Sequence, residues 1–399
     1  MPSNYKKLGT YIQVVNIRNT EERKDNLLGL SVRKVFIKTI ANTIGTDFKT
    51  YKVVKKNQFT YIPDTSRRGD KIAIAILENE EDALVSQAYT VFEVIDEKKL
   101  LPEYLMMWFR RPEFDRYARF KSHGSAREIF DWAEMSDTEL PIPSPEKQQE
   151  IVREYNIIQN RIALNNQLIT KLEETAQAIY KQWFMEEIDF ENLPEGWKFL
   201  NLGLFSSIKG GKRLPKGDEL NDFKVGRPYI KVADMKKTKF LVLNSKFQYV
   251  SDEIQTQISR YTVNTNDVII SIVGTIGMIN IIDKSLNNAN LTENCMKINN
   301  IEFVNAKFLY HYFNSEIGKR VIEESTVGGV QGKLPLYNIQ SMSVLIPARE
   351  VFEKFNSVIE LIDSKLIIKV LENQKLEELK ELLLAKMTRV ESGMETVEN

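Results

Sequence analysis

The residues of this chain that could do chemistry are basic and polar side chains in loops. Between residues 198 and 239 the sequence holds eleven lysines and arginines against four acidic residues, a local net charge of +7. Within that stretch, segment 209–217 reads KGGKRLPKG. Glycine lets a backbone approach a phosphate closely, and Lys and Arg supply charge and donors to base edges. The stretch predicts contact with a polyanion, although a plain surface turn would have the same composition.

Further basic and polar residues extend this candidate surface. In the second half of the chain the candidate contact residues are Lys209, Lys212, Arg213, Lys216, Lys231 and Lys236. In the first half they are Arg18, Arg33, Lys34, Arg67 and Arg68, each of which could equally be a solvated surface charge. Two loops at corresponding places in the halves, 122–128 and 326–333, add Ser125, Arg127, Gln331 and Lys333. A structural turn preserved by duplication would explain these loops as well.

The sequence lacks the residues that several kinds of catalytic site require. Two histidines and one cysteine cannot build a Cys/His zinc cluster. Nucleotide-binding glycine motifs and the Asn/Asp-Pro-Pro-aromatic motif of adenine methyltransferases are absent. Pro63-Asp64 with Glu97-Lys98-Lys99 is a scattered match to a nuclease core that a Lys/Glu-rich chain shows by chance. His123 lies in a loop, and His311 is expected to pack on a helix. We expect no metal and no cofactor in this chain.

Composition and charge narrow the class of protein. The 55 basic and 55 acidic residues cancel overall, but residues 1–143 carry net +2, residues 190–347 net +4, and the remaining segments together net −6. Mildly basic segments suit contact with a polyanion, although solvated Glu-rich faces on the acidic segments would explain the same asymmetry. No apolar run is long enough to span a membrane, and MPSNYKKLGT lacks a signal core. The single cysteine fits a reducing cytoplasm, where we expect the protein.

One long helix organises the first half of the chain. From Ile151 to Trp183 the apolar residues recur in steps of three and four, with Asn165 at the interrupted position, which predicts a heptad seam. Ser144 is suited to cap the helix, and Pro145 to its first turn. A single helix cannot bury such a stripe alone, so it needs a partner helix.

The partner helix comes from an internal repeat. A shift of 204 residues aligns Phe109 with Phe313, and Ile142-Pro143 with Ile346-Pro347. The second helix carries a similar stripe: Phe355, Ile359, Ile362, Leu366, Leu376, Leu383 and Met387. A two-fold relation between the halves predicts antiparallel helices, with Asn165 opposite Asn373 and Trp183 opposite Phe355. Two facing amides satisfy one another, so this pair would set the register.

These elements predict an α+β chain of two mixed α/β globules and two long antiparallel coiled-coil helices, with an internal pseudo-two-fold repeat. We place the first globule at 1–143, the first rod at 144–189, the second globule at 190–347, and the second rod with its tail at 348–399. Residues 102–120 and 305–324 are each predicted as one helix. Short β-rich runs at 26–32, 50–63, 71–77 and 88–95 predict strands.

The whole pattern resembles the specificity (S) subunit of type I restriction–modification systems. The resemblance covers nearly the full chain, and its order and duplication make it specific. The segments that carry it are the hinge AIYKQWF at 178–184, LPEGW at 193–197, PYIKV at 228–232, and Ile-Pro before each rod. The first globule departs from the pattern, because it opens with YKKLG at 5–9 instead of an LPEGW-type segment.

The resemblance implies a non-catalytic subunit that binds double-stranded DNA. Each globule would be a target-recognition domain that reads half of a bipartite site, and the rods would recruit two methyltransferase (modification) subunits, which restriction subunits join. S-adenosylmethionine, ATP and Mg²⁺ would bind those partners. Two other classes stay open, a stand-alone DNA endonuclease and a scaffold that does not bind DNA.

Overall fold

The computed structural model describes residues 5–39, 45–124, 128–186, 188–329 and 332–388. The chain divides into two compact units, residues 1–162 with 376–399, and residues 163–375. Each unit contains most or all of one globule expected from the sequence, together with parts of both long helical segments.

The first unit consists of short strands followed by helices. In chain order these are β1 (Tyr5–Lys7), β2 (Ile12–Val15), β3 (Ile17–Arg18), β4 (Leu28–Ser31), β5 (Val35–Lys38), β6 (Lys52–Lys55), β7 (Phe59–Ile62), β8 (Ala73–Ile76), β9 (Asp82–Val85), β10 (Thr90–Val94), α1 (Pro102–Phe109), α2 (Pro112–Phe120), α3 (Trp132–Asp137), β11 (Glu139–Pro141) and the long helix α4 (Pro145–Lys181), which continues into the second unit.

The strands of the first unit form small antiparallel sheets. The largest has the order β2-β10-β7-β8, beside β3-β6-β9, the hairpin β4-β5 and the pair β1-β11. β7 and β8 are buried along their whole length. Phe59 of β7 stacks on Phe92 of β10 at 4.9 Å between ring centroids and meets Phe109 of α1 edge-on at 5.9 Å. This aromatic cluster joins the sheet to the helices.

The second unit repeats this order of strands followed by helices. Its elements are β12 (Lys198–Asn201), β13 (Ser207–Gly210), β14 (Arg227–Ile230), β15 (Phe240–Leu241), β16 (Gln248–Val250), α5 (Asp252–Ile258), β17 (Val268–Ser271), β18 (Ile279–Ile282), β19 (Asn290–Leu291), β20 (Cys295–Asn299), α6 (Ala306–Asn314), α7 (Glu316–Ser325), α8 (Leu336–Gln340), β21 (Ser343–Ile346) and the long helix α9 (Arg349–Lys386), which ends in the first unit.

The main sheet of the second unit has the order β13-β20-β17-β18-β15, beside β16-β14-β19 and the pair β12-β21. Pairing is antiparallel except for β15 with β18 and β14 with β19. The pair β12-β21 brings the start of the second globule to the strand that leads into α9. In the first unit β1 and β11 do the same before α4.

Each helix predicted between a globule and its rod is broken in two. The segment 102–120 stops at Phe109 and restarts at Pro112, because the residue before a proline avoids the helical conformation. The segment 305–324 breaks at Ser315, whose hydroxyl accepts a hydrogen bond from the backbone N–H of Gly318 at 3.1 Å. A Cβ at Gly318 would lie 2.0 Å from the Tyr312 carbonyl oxygen, so only glycine permits this tight corner. The prediction of single helices was wrong in both places.

The long helices bury one stripe each, close to the predicted seam. On α4 the buried positions are Gln148, Ile151, Tyr155, Ile162, Asn165, Ile169, Ala176 and Tyr180. A π-helical turn, Gln182–Glu186, follows α4 and buries Phe184. On α9 the buried positions are Phe355, Ile359, Asp363, Leu366 and Leu384. Leu384 replaces the predicted Leu383, and a carboxylate, Asp363, lies within the apolar stripe.

Within the second unit α4 and α9 run antiparallel. The Asn165 side-chain amide donates to the Asn373 carbonyl oxygen at 2.9 Å. In the π-helical turn that follows α4, the ring centroids of Trp183 and Phe355 lie 6.1 Å apart. Both contacts match the register predicted from the sequence. Asn373 also donates to Asn166 at 2.8 Å, so the polar interruption contains a third amide.

Candidate nucleic-acid interface

In the first unit, the turn after β7, which carries the candidates Arg67 and Arg68, meets the end of the predicted contact loop 122–128. Asp64, just after β7, forms an isolated antiparallel bridge with Ile129, and the Thr65 N–H donates to the Glu128 carbonyl oxygen at 3.1 Å. This pairing brings the turn that carries Arg68, which is half-buried, to the segment that follows the 122–128 loop. Ser125 and Arg127 lie outside the described residues, as does the side chain of Arg67.

Acidic residues hold the basic groups around this loop pair. Arg119 of α2 donates to Asp70 at 2.7 Å and also pairs with Glu128. His123 is exposed, and its Nε2 lies 3.2 Å from the Glu134 carboxylate. Carboxylates therefore hold Arg119 and His123 in place beside the described parts of these loops.

The other candidates of the first unit lie in different places. Arg18 on β3 is exposed and donates to the Thr50 carbonyl oxygen at 2.6 Å. Arg33 is exposed in the turn of the β4-β5 hairpin. Lys34 is 5% exposed, its ammonium lies 2.9 Å from the Asp115 carboxylate, and burial lowers its pKa although Asp115 opposes that shift. The prediction that Lys34 contacts DNA was wrong, because a buried ammonium paired with a carboxylate cannot reach a phosphate.

The glycine-punctuated basic loop of the second unit is exposed along its basic side chains. Lys209, Lys212, Arg213 and Lys216 all face solvent. A Cβ at Gly211 would lie 2.0 Å from the Thr292 carbonyl oxygen. This glycine therefore admits the chain's own backbone, whereas the sequence predicted an approach to a phosphate. The N–H of the next residue donates to the Leu291 carbonyl oxygen at 2.8 Å, which fixes the start of the loop.

Two groups beside this loop were missed by sequence reasoning. The Arg213 guanidinium donates to Glu293 at 2.8 Å, and this hydrogen bond raises the pKa of Arg213. The Lys212 ammonium lies 5.7 Å from the centre of the Tyr261 ring. Both partners are far away in the sequence, and no local pattern announces them. A carboxylate and an aromatic ring thus orient the two side chains that the sequence singles out.

The rest of the basic stretch divides into exposed and buried lysines. Lys236 is exposed, and Lys231 is half-buried with its ammonium 2.5 Å from the Gln248 side-chain oxygen. Lys239 is completely buried and pairs with Asp363 of α9. One of the charges that make this stretch basic is therefore absent from its surface.

Lys333 belongs to a second pair of loops. It bridges Val327 on one side and Val273, just after β17, on the other, and its own side chain is exposed. Gln331 lies outside the described residues. The same arrangement in the first unit joins the loop after β7 to the segment before α3. Tyr337, in α8 just after these loops, is 69% exposed and was missed, because an isolated tyrosine carries no pattern.

Beside this second pair of loops lies an open groove of about 460 Å³, lined by Ile276, Gly277, Lys319, Ile322, Glu323, Thr326 and Gly328.

Over the described ranges, no group of three or more His, Cys, Asp or Glu residues could hold a metal ion. Cys295 is buried, and burial raises the pKa of its thiol to about 12. Nor does any helix in those ranges have the length and apolarity to cross a membrane. The arrangement offers donors, charge and aromatic surface for binding.

Comparison with known proteins places this geometry in a family. The profile of the type I restriction modification DNA specificity domain matches residues 4–174 and 194–381. The MjaIX specificity subunit of a type I restriction enzyme from Methanocaldococcus jannaschii is 22% identical over 319 residues, which cover 74% of this chain and 70% of that protein. The HindI specificity subunit from Haemophilus influenzae is 20% identical over 428 residues, which cover 87% of this chain and 89% of that protein.

The fold agrees with these matches. The crystal structure of a type I restriction–modification S subunit from M. genitalium superposes with a TM-score of 0.54 at 14% identity, covering 96% of this chain and 95% of that one. The two stretches that match the profile each run from the start of a globule into a long helix. Because the profile matches most of the chain, in two successive stretches, the chain belongs to the type I restriction–modification DNA specificity subunit family.

Proposed function

We propose that this chain is the DNA-recognition subunit of a type I restriction–modification complex, with each globule reading one half of a bipartite double-stranded site. The observation that carries the proposal is the repeated loop pair: in each unit the loop after a central strand, β7 or β17, bridges the loop that precedes the rod. Two reading surfaces built in the same way, one in each unit, suit a site with two halves.

Within each surface, the exposed basic side chains are suited to two kinds of contact. Lysines such as Lys209 and Lys216 would bind phosphates and set the register on the duplex. Arg213 carries a planar guanidinium that could read guanine through two donors, in competition with its hydrogen bond to Glu293. Tyr337, Val327 and Val273 would supply apolar contact beside Lys333.

The rods would join the complex together as an antiparallel coiled coil. Each long helix exposes a further set of large apolar residues: Ile157, Leu164 and Leu168 on α4, and Leu361, Ile368, Leu379 and Leu382 on α9. Ile157 and Leu164, like Leu361 and Ile368, are seven residues apart, a spacing typical of a helix that packs against another helix. Two methyltransferase subunits would dock here and restriction subunits would join them, with S-adenosylmethionine, ATP and Mg²⁺ bound by those partners.

A gel mobility-shift and activity assay separates this function from its two rivals. We expect the purified chain with a methyltransferase partner to shift a duplex that carries the bipartite site, and to methylate it only with S-adenosylmethionine. Mg²⁺-dependent cleavage by the chain alone, lost in Asp64→Ala, would instead identify an endonuclease. A complex that forms with the partner but shifts no DNA at low salt would identify a scaffold. Methylation mapping in the host would then reveal the site itself.

A further inference from the structure

Lys239 is fully buried although it closes the most basic stretch of the chain. Its ammonium lies 2.8 and 2.7 Å from the two carboxylate oxygens of Asp363 on α9, and 3.0 Å from Nε2 of His311 on α6. An ammonium has three N–H donors, and these three acceptors use all of them. The side chain is therefore held by a complete set of directional bonds.

The first long helix joins the same network. His311 Nε2 accepts from the ammonium, so its Nδ1 carries the proton and donates to the Gln177 side-chain oxygen at 2.9 Å. The Gln177 amide in turn donates to the His311 carbonyl oxygen at 3.1 Å. The backbone N–H of Lys239 itself donates to Glu173 of α4 at 2.7 Å. Both long helices and α6 thus converge on one residue of the second globule.

The segment 236–239, which ends at Lys239, is also bound to the sheet of the globule. The Ile281 N–H of β18 donates to the Lys239 carbonyl oxygen at 2.8 Å. The buried Asn280 donates to the carbonyl oxygens of Lys236, at 3.0 Å, and of Thr238. Lys236, a candidate DNA contact, is exposed only three residues before the buried lysine. The segment 236–239 therefore ties an exposed basic site to both long helices.

A buried ion pair of this kind contributes little to stability compared with an apolar pair of the same volume, but it constrains geometry. Apolar packing alone would tolerate small rotations of the globule on the helices. An ammonium that donates to both carboxylate oxygens and to a histidine, with no donor left over, does not tolerate them. We infer that the Lys239–Asp363 pair is a positioning device that sets the orientation of the second recognition globule on α4 and α9. This inference rests on the proposed reading of a bipartite site.

The consequence is a specific effect on DNA recognition. One base pair added between the half-sites rotates one half relative to the other by about 35°. A globule held in one orientation rejects such a site, and a globule free to rotate accepts it. Lys239 would therefore act through the placement of contacts such as Lys236, without touching DNA.

The test compares the wild-type complex with Lys239→Met/Asp363→Leu, which replaces the pair by apolar residues. Methylation rates are measured on duplexes with the native spacer and with one base pair more or fewer. We expect the variant to recognise the same half-site sequences, and its preference for the native spacer to fall by about tenfold, the size of one misplaced base contact. The matched control is Lys297→Met/Asp267→Leu, which removes a buried ion pair, 3.7 Å long, that lies wholly within the globule. The control should lose no spacer preference.

Thermal unfolding of both variants separates a positioning role from a purely structural one. If the Lys239 variant is stable and its spacer preference equals that of the wild type, the inference is overturned. If it does not fold, Asp363→Asn keeps the side-chain shape, removes the charge, and must show the same loss of spacer preference. A wild-type complex that methylates no bipartite site would overturn the proposed function itself, which is a distinguishable result.

Discussion

At the scale of single residues, the loop that carries Lys212 and Arg213 is the sharpest test of DNA contact. Both side chains are exposed, and both are oriented by partners within the unit. Lys212→Ala/Arg213→Ala should weaken binding about ten- to a hundredfold if one of the two reads a base. If they contact phosphates only, the salt dependence should fall by about one unit of slope per charge.

The control for that variant is Arg349→Ala/Lys354→Ala, which removes two exposed positive charges from α9. Titrations at several salt concentrations measure affinity and slope for both proteins. Equal values for the loop variant and the wild type would mean that the loop faces away from DNA.

Glu293 accepts a hydrogen bond from the Arg213 guanidinium and therefore competes with DNA for it. Glu293→Gln should strengthen DNA binding by up to about fivefold, the range of one exposed ion pair, because it frees the guanidinium and removes a negative charge. Glu302→Gln, an exposed carboxylate after β20, controls for net charge. Weaker binding by the Glu293 variant would show instead that the carboxylate holds the guanidinium in its reading orientation.

His311 should make the stability of the second unit depend on acid pH. Its pKa lies well below its ordinary value of 6.5, because it is buried and because the Lys239 cation faces it. Below about pH 6.5, His311 therefore binds a proton in the unfolded chain but stays neutral in the folded chain. The unfolding free energy should fall by up to ~1.4 kcal/mol for each pH unit below that value, until the pH reaches the folded pKa.

The measurement is urea unfolding between pH 5 and 7.5, compared between wild type and His311→Gln. Glu173 and Asp363, whose pKa values burial raises, act with the opposite sign, so the difference between the two proteins isolates the histidine. His123→Gln is the control, since His123 is exposed and the chain has no third histidine. Parallel curves for wild type and the His311 variant would contradict this prediction.

At the scale of elements, the amide cluster of α4 and α9 interrupts two apolar stripes at one level. Asn165 is 1% exposed and donates to Asn373, which donates to the exposed Asn166. Asn165→Leu removes the donor to a half-buried carbonyl and should lower the unfolding free energy by about 1–3 kcal/mol.

Leucine at both 165 and 373 should restore stability or raise it, because no buried amide remains unpaired, while the register of the helices loosens. Thermal and denaturant unfolding of both single variants and the double variant gives the interaction energy. A double variant no more stable than Asn165→Leu would show that the amides contribute nothing as a pair.

At the scale of the whole molecule, the repeat predicts that half-site specificities are exchangeable. Replacing 190–343 by the corresponding globule of a relative should change one half of the methylated sequence, as read by methylation mapping in the host. Changes in both halves would show that the globules do not read independently.

The second unit also predicts which exchange folds better. Its core combines globule residues with Tyr180, Phe184, Phe355 and Ile359 from the helical segments. An exchange of 163–375 carries these contacts and the Lys239–Asp363 pair together. It should unfold at a higher temperature than the exchange of 190–343, while altering the same half of the site. Equal unfolding temperatures would mean that these contacts tolerate substitution.

The sequence by itself determined the features that depend on local or periodic signals. Capping residues and three-four spacing predicted the long helices, because a helix buries one stripe regardless of what lies beyond it. The repeat predicted two similar units, and the shared interruption of the stripes predicted the Asn165–Asn373 contact. The exposed basic loop 209–217 and the family also followed from the sequence.

Only the tertiary structure decided which charges reach the surface. The sequence suggests that Lys34 and Lys239 are surface cations. In the structure each is buried against a carboxylate distant in the chain, Lys34 against Asp115 and Lys239 against Asp363. Arg213 likewise meets Glu293, which lies 80 residues away. Composition and periodicity describe neighbours along the chain, whereas burial and ion pairing depend on which segments the fold brings together. That physical difference explains why the helices were predictable and the partners of the lysines and arginines were not.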